Sequence, residues 1–304
     1  MLRFVVGSSL SSRALALAAV CAGGCTDVFL LPYDGGNLPF GDGAANRDGT
    51  VIVDGDGAIV GDGGGGMDAP LALPASCTRL ACVPAMNEGD VTLSDGTQSG
   101  CHAYGKLTID LPGIFVGSSG ALGFAACADT IVINGFINAD GQGLPEKTGT
   151  GAGSGCGSGA GHGGAGADPI GCGAGITYGD PVNPRELGSG GGGANAGAGG
   201  GAIELQAGTI NVIGIISANG GSAGVSLAGG GGSGGSVLLH ADTILGAGKV
   251  YARGGLGVGA GGGGGGGRIA VYSGVADGIS CDAKGGPTMS GGADGSPGSI
   301  MQLP

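Results

Sequence analysis

GGSVLLHADTILGAGKVYARGG, residues 234–255, is the stretch of sequence that decides the fold. Apolar residues occupy every second position within it, from Val237 through Leu239 to Ala241. A period of two is the period of a β-strand with one face turned inward, and no helical period competes with it. The stretch therefore predicts a strand whose small apolar side chains face a narrow interior.

The same pattern occurs at two earlier places in the chain. Segments of the form Ala-x-Thr-Ile lie at residues 128–131, 207–210 and 241–244, and each unit closes downstream with a glycine. Self-similarity at intervals of a few tens of residues indicates stacked units, none of which can bury its apolar face alone. The predicted ladder of stacked residues consists of Ala128, Thr130, Ile131, Ala207, Thr209, Ile210, Ala241, Thr243 and Ile244.

Glycine dominates the composition, with 81 glycines in 304 residues and an aromatic fraction of 4%. Glycine brings no side chain to bury and loses the most backbone entropy on ordering, so an ordinary compact core is not expected. Glycine tracts at 190–193, 199–201, 229–232 and 261–267 fall between the predicted strands. Two alternatives follow for these tracts, either flexible loops or extended segments of polyproline-II type that pack on one another.

The repeated unit resembles the repeats of filamentous-haemagglutinin-like adhesins and of glycine-rich bacterial surface proteins. The resemblance covers roughly residues 125–273, with an interruption at 144–195. It implies a parallel β-helix and a structural or adhesive role. We therefore expect an all-β protein whose residues 76–304 form a glycine-rich parallel β-helix (β-solenoid) with polyglycine loops.

The amino terminus has the layout of an export signal. Arg3 and Arg13 precede an apolar run at 14–20, which is too short to span a bilayer. The residues Ala-Gly-Gly-Cys that end at Cys25 resemble the lipobox of bacterial lipoproteins, which implies a signal peptide at 1–24 and lipidation of Cys25. Thr26 stands where an inner-membrane retention signal would have Asp, so the expected location is the outer membrane or cell surface. The alternative is an ordinary secretory signal.

The next segment, residues 25–75, is rich in Gly and Asp and has little to bury. Such a composition predicts a flexible tether. The string Asp54-Gly55-Asp56-Gly57 leaves calcium binding open as an alternative, but the twelfth position of an EF-hand loop counted from Asp54 is Gly65 and not Glu.

Nine cysteines in an exported chain predict structural disulfides. Two of them lie in the signal region, so the remaining odd number requires at least one free or intermolecular thiol. Local pairs, Cys77 with Cys82 and Cys156 with Cys172, are the expected bridges. Zinc is the alternative, but no C-x-x-C spacing supports it.

Charge and motif content narrow the function. A formal net charge of -12 with only 11 Lys and Arg residues argues against nucleic-acid binding. The match to G-x-S-x-G around Ser233 lies inside a glycine tract, without the strand and helix that a nucleophile elbow needs. Asp129 and Asp242 align in the repeat but Gly208 stands between them, so we expect no close carboxylate pair for acid–base chemistry.

We therefore predict a non-enzymatic cell-surface lipoprotein with a structural or adhesive role, without catalytic residues, cofactor or resident metal. Its expected partners are the membrane, through the lipid anchor, and cell-surface or matrix polymers. Two alternatives stay open. One is a polysaccharide-binding or polysaccharide-cleaving β-helix protein, and the other is calcium-dependent surface assembly.

Overall fold

The computed structural model describes residues 73–80, 82–117, 123–169, 171–225, 227–289 and 292–304, and the backbone of two short strands nearer the amino terminus. The chain forms two compact units, Met1–Ala69 and Pro70–Pro304. In the first unit, strand β1 (Leu15–Leu17) pairs antiparallel with β2 (Leu30–Pro32). The signal peptide, Cys25 and nearly all of the tether otherwise lie outside the described residues.

The second unit is almost entirely β-structure, which confirms the expected all-β class. Its one described helix is a 3-10 helix at Ala75–Arg79. The strands of the larger sheet, called sheet 1, are β3 (Val91–Leu93), β5 (Gly100–Ala103), β6 (Lys106–Ile109), β8 (Phe124–Ile133), β10 (Ala202–Val212), β13 (Ser236–Leu245), β16 (Arg268–Tyr272), β17 (Val275–Ala276) and β19 (Ser299–Leu303).

A second sheet, called sheet 2, is built from the shorter strands that follow. They are β4 (Thr97–Gln98), β7 (Gly113–Val116), β9 (Phe136–Asn138), β11 (Ile215–Ser217), β14 (Lys249–Tyr251) and β18 (Ser280–Asp282). All pairings within both sheets are parallel, in the orders β19-β16-β13-β10-β8-β6-β3 and β18-β14-β11-β9-β7-β4. From β8 onward, the chain passes from sheet 1 to sheet 2 and then through a glycine-rich segment to the next strand of sheet 1. One antiparallel pair, β12 (Ala228–Gly229) with β15 (Val258–Gly259), lies in those glycine-rich segments.

The residues that align in the sequence repeat lie side by side in sheet 1. Ile210 pairs with Ile131 on one side and with Ile244 on the other. The same register joins the alanines of the ladder, at 128, 207 and 241, and its threonines, at 130, 209 and 243. The isoleucines are fully buried and the threonines are partly exposed, as the alternation of a strand requires.

The core lies between the two sheets. Inward residues of sheet 1 such as Ile210 pack in one cluster with Ile137, Ile216 and Val250 of sheet 2. A row of buried alanines, Ala139, Ala218, Ala252 and Ala283, follows directly after the strands of sheet 2. Small side chains at these positions keep the interior narrow where the glycine-rich segments begin.

The glycine-rich segments pack on one another and are hydrogen-bonded, so they are ordered and are not flexible loops. Successive N–H groups of residues 230–235 donate to three different neighbouring segments in turn, and each neighbour recurs after three residues. These bonds run from Gly230 to Gly192, Gly231 to Gly262, Gly232 to Gly221, Ser233 to Ser189, Gly234 to Gly265 and Gly235 to Ala218. A repeat of three residues with bonds only to neighbours is the pattern of polyproline-II-type chains. We call the packed segments the glycine bundle (residues 143–167, 188–201, 218–225, 227–235, 252–267, 283–289 and 292–298).

Glycine is required in this bundle by close approach and not by an unusual backbone angle. A Cβ built on Gly232 or Gly264 would lie under 3.0 Å from a backbone carbonyl oxygen of the adjacent segment. Neither residue has a left-handed φ. The segments therefore approach one another to a distance that any side chain would prevent, as in collagen.

The loop at residues 174–187, called the covering loop, packs over the outer face of sheet 1. Arg185 forms a two-point ion pair with the buried Glu204, with nitrogen to oxygen distances of 3.0 and 2.8 Å. The hydroxyl of Ser236 donates to the backbone carbonyl of Glu186 at 2.7 Å, and Arg268 donates to the backbone carbonyl of Tyr178. The loop consequently buries the outward side chains in the first part of β10, β13 and β16, whereas residues farther along these strands, such as Asp242, are exposed.

Three disulfides cross-link the described part of the chain. Cys156 joins Cys172, as expected from the sequence. The expected pairing of Cys77 with Cys82 is wrong, because Cys77 joins Cys127 and Cys82 joins Cys101. The 3-10 helix lies against β8 and places the Cys77 side chain beside Cys127, so spatial contact outweighs nearness in sequence.

Candidate functional site

The three histidines lie in separate environments and form no common site. His102, on β5, has its Nδ1 atom 2.8 Å from the Oε1 atom of Glu88. His240, on β13, stacks on Tyr272 with 4.9 Å between ring centroids. His162 is fully buried, although its position in a glycine-rich segment gave no reason to expect this.

The buried His162 ring is held between the glycine bundle and the covering loop. Its Nδ1 donates to the carbonyl oxygen of Gly234 at 2.8 Å, and its ring lies 4.6 Å from that of Tyr178. Because a carbonyl can only accept, Nε2 carries the lone pair of the neutral ring, and it has no hydrogen-bond partner. Burial lowers the pKa of His162 to about 4, and the positive charge of Arg268 lowers it further. The backbone hydrogen bonds and the negative charge of Glu186 raise the pKa, but these effects are smaller than that of burial.

The acidic and serine residues singled out in the sequence do not form an active site. The register places Gly208, on β10, between Asp129 and Asp242, so the two carboxylates are separated by two strand spacings, about 10 Å. Ser233 is buried in the glycine bundle and exchanges hydrogen bonds with Ser189. Its hydroxyl therefore has a structural role at this position.

The outer face of sheet 2 exposes large side chains to solvent. We call this surface the open face and define it by Phe115, Phe136, Lys249, Tyr251, Arg253 and Lys284. Phe115 and Phe136 expose 59% and 45% of their surface, which is unusual for aromatic residues on a strand. The two phenylalanines are diagonal neighbours on adjacent strands, because Gly113 pairs with Phe136 and Phe115 with Asn138.

A hydrogen-bonded polar network runs along one border of the open face and connects four successive strands. Asp140 accepts from the backbone N–H of Asn219 at 2.7 Å, and the Asn219 side-chain oxygen accepts from the Arg253 backbone N–H at 2.8 Å. The Arg253 guanidinium donates twice to Asp282, at 3.0 and 2.7 Å, and lies 4.1 Å from the centre of the Tyr251 ring. These contacts fix the orientation of the polar groups before any ligand arrives.

Positive charge is concentrated at one end of the open face. Lys249, Arg253 and Lys284 lie on or directly after neighbouring strands, and the only carboxylate paired with them is that of Asp282, among the residues the structure describes. Burial alone would raise the pKa of Asp282, but the Arg253 hydrogen bonds, the Lys284 backbone N–H and both positive charges hold it below its ordinary value. The region therefore carries net positive charge in a chain whose overall charge is -12.

A second exposed surface lies where neighbouring segments of the glycine bundle turn. Val225 and Leu227 expose 95% and 93% of their surface, and Met289 exposes 67%. Hydrogen bonds between Ala260 and Leu227 and between Met289 and Gly257 place these turns side by side. These three exposed side chains are apolar.

Cys25 and the string from Asp54 to Gly57 lie outside the described residues.

Cys281 keeps a free thiol on β18. Its side chain packs partly against the core, and burial raises its pKa to about 11. Within the described ranges, no group of three or more His, Cys, Asp or Glu residues is arranged to hold a metal ion. No helix in that same part of the chain is long and apolar enough to cross a bilayer.

Sequence reasoning missed the open face, although the repeat contains its signal. Phe136, Ile215 and Tyr251 each lie beside an inward Ile or Val, at outward positions that the alternation of the strands exposes. Comparisons of the chain with protein-family models, curated proteins and solved structures give no match.

Proposed function

We propose that this protein is a non-enzymatic cell-surface lipoprotein with a structural or adhesive role, built as a parallel β-solenoid and anchored through Cys25. Support for a solenoid comes from the in-register parallel pairing of equivalent residues, such as Ile131, Ile210 and Ile244. Each turn would consist of a strand of sheet 1, a strand of sheet 2 and a return through the glycine bundle. Stacked turns of this kind give extended, regular surfaces.

The observation that carries the adhesive role is the contrast between the two sheets. The covering loop buries part of the outer face of sheet 1, and the exposed remainder carries small or polar residues such as Thr130 and Asp242, whereas the outer face of sheet 2 exposes large aromatic and basic side chains. Exposed aromatic groups are costly to leave in water, and clusters of them on a rigid surface are typical of binding surfaces. A rigid framework also limits the entropy lost on binding.

Support for the anchor comes from the sequence, in the lipobox-like residues that end at Cys25 and the charged and apolar segments before them. Disulfides in the folded unit agree with an oxidising compartment outside the cytoplasm. Several acyl chains on one cysteine would anchor the protein stably, because a single chain gives only marginal binding.

The anchor is tested by metabolic labelling of expressing cells with an alkyne fatty acid. We expect the full chain and Cys21→Ser to be labelled and to fractionate with the outer membrane. Cys25→Ser should lose the label and appear in the soluble fraction. Labelling that persists in Cys25→Ser contradicts the proposed lipidation site.

Adhesion is tested by comparing cells that carry the chain with cells that carry Cys25→Ser, on plates coated with extracellular matrix. We expect retention of cells only with the anchored chain. Chelation of calcium before the assay tests the alternative of calcium-dependent assembly, which predicts loss of retention. Equal retention with and without the anchored protein contradicts an adhesive role and leaves the structural one.

A further inference from the structure

The open face combines two properties that together point to one class of ligand. It runs across five neighbouring strands, and it changes along its length from aromatic to basic. Neighbouring parallel strands lie about 4.8 Å apart, so the five strands from β7 to β18 span about 20 Å. A ligand that uses the whole face must therefore be extended along the same axis, as a polymer is.

The aromatic end favours sugar rings over other repetitive ligands. Phe115 and Phe136 present apolar ring faces to solvent, on which the C–H face of a pyranose can stack. A polar group beside them is supplied by Asn138, which pairs with Phe115. This mixture of flat apolar and hydrogen-bonding groups suits a ligand that is itself apolar on its ring faces and polar at its edges.

The basic end favours an anionic ligand. Lys284 exposes 79% of its side chain and Arg253 exposes 44%, so both can reach a ligand in solvent. The second carboxylate oxygen of Asp282 also accepts from the Lys284 backbone N–H at 3.0 Å, which fixes this carboxylate and its partner Arg253 in place. The overall charge of -12 repels any polyanion, so an acidic polysaccharide of low charge density fits this surface better than nucleic acid, whose charge density is higher.

We propose that the open face binds an extended acidic polysaccharide whose chain runs across the strands of sheet 2. Its sugar rings lie on Phe115 and Phe136, and its carboxylate or sulfate groups lie at Lys249, Arg253 and Lys284. The proposal rests on the adhesive function above and names the class of polymer that the surface recognises.

Binding is measured with the full chain carrying Cys25→Ser, by calorimetry against oligogalacturonate, dextran sulfate and uncharged dextran. We expect binding to one or both anionic polymers that weakens with added salt, and none to dextran. The two anionic polymers distinguish carboxylate from sulfate as the recognised group. Binding of dextran as tight as that of the anionic polymers overturns the proposal, as does the absence of binding to either anion.

Two sets of variants locate the site. Lys249→Gln with Lys284→Gln should weaken binding by about tenfold, since two exposed positive charges are lost from the contact. Phe115→Ala should weaken it by about fivefold through the loss of ring stacking. The matched control, Lys106→Gln with Lys147→Gln, changes the net charge equally at distant exposed positions and should have no effect.

Equal loss in the control pair overturns the proposal, because it would mean that net charge and not the open face decides binding. Circular dichroism of each variant shows whether the fold is kept, and Lys249→Arg with Lys284→Arg should restore affinity. Cell retention without any binding of acidic polysaccharide would overturn this inference and leave the adhesive function in place. Loss of both would overturn the two together.

Discussion

Substitution of one buried glycine by alanine tests the close packing on which the glycine bundle depends. Gly264 is the position with the clearest expectation. Its N–H donates to Gly255 at 3.0 Å, its carbonyl oxygen accepts from Gly286 at 2.7 Å, and a Cβ there would lie under 3.0 Å from the Gly232 carbonyl oxygen. The obstacle is backbone on an adjacent segment, which cannot rotate away as a side chain could.

The cost of Gly264→Ala follows from three contributions. Forcing a methyl group into packed backbone costs about 3 kcal/mol, at the upper end of overpacking penalties. Separating the segments weakens one of the two hydrogen bonds of Gly264, which costs about 1 kcal/mol. Alanine restricts the unfolded chain and returns about 0.7 kcal/mol. The net loss of about 3 kcal/mol corresponds to a fall of about 10 °C in Tm for a unit of this size.

The matched control is Gly155→Ala, because a Cβ at Gly155 meets no atom within 4 Å and the residue is exposed. We expect this variant to be neutral or stabilised by about 0.5 kcal/mol through the unfolded state alone. Differential scanning calorimetry and urea unfolding of the oxidised proteins measure both changes. If Gly264→Ala and Gly155→Ala have the same Tm, the glycine bundle is not close-packed and the argument fails.

Three further changes test other contacts. Burial lowers the pKa of His162 to about 4, from an ordinary value of 6.5. As the pH falls, His162 therefore takes up a proton in the unfolded chain before it does so in the folded protein. The contribution of neutral His162 to stability is complete above about pH 6.5 and is lost as the pH falls toward 4. We expect up to about 3 kcal/mol to be lost between about pH 6.5 and pH 4, and His162→Asn to flatten this dependence in urea unfolding. Arg185→Ala leaves the buried Glu204 carboxylate without its ion-pair partner. The free energy of unfolding should fall by about 2 kcal/mol, a value already reduced for the partial exposure of Arg185. A fall below about 0.5 kcal/mol would mean that solvent screens the pair. Peptide mapping should find Cys77 linked to Cys127, and a peptide with Cys77 linked to Cys82 would contradict the structure. Removal of the Cys77–Cys127 bridge should lower the free energy of unfolding by about 4 kcal/mol, because the bridge closes a long loop.

The sequence was sufficient to predict strands β8, β10 and β13 of sheet 1 and their register. Ala-x-Thr-Ile segments place the same residue types at the same positions of successive strands, and side-chain alternation then decides which of them face inward. Ile131, Ile210 and Ile244 are neighbours because a shift of one residue would expose every apolar side chain of the strand. Periodicity of this kind is local information, which is why it can be read from the chain alone.

The covering loop and the disulfides depend on contacts that no periodicity encodes. Residues 174–187 have no repeating pattern, so nothing in them indicates that Arg185 lies against Glu204 or that Tyr178 covers His162. Cys77 pairs with Cys127 because a short helix lies on β8, and the distance between the two residues in the sequence gives no indication of it. Such contacts follow only from the three-dimensional arrangement.

The order of the glycine bundle and the recognition proposed for the open face are physically connected. Glycine segments alone lose much entropy on folding and gain no side-chain burial, so their order must come from hydrogen bonds and contacts between segments. Residues 218–235 follow directly after β11 of sheet 2 and lead into β13 of sheet 1, so the bundle holds the ends of both sheets in position. A change such as Gly264→Ala, which alters no side chain of the open face, would loosen the spacing of the strands that present Phe115 and Lys284. Weaker polysaccharide binding in that variant, with the open face chemically intact, is therefore the consequence expected if preorganisation contributes to recognition.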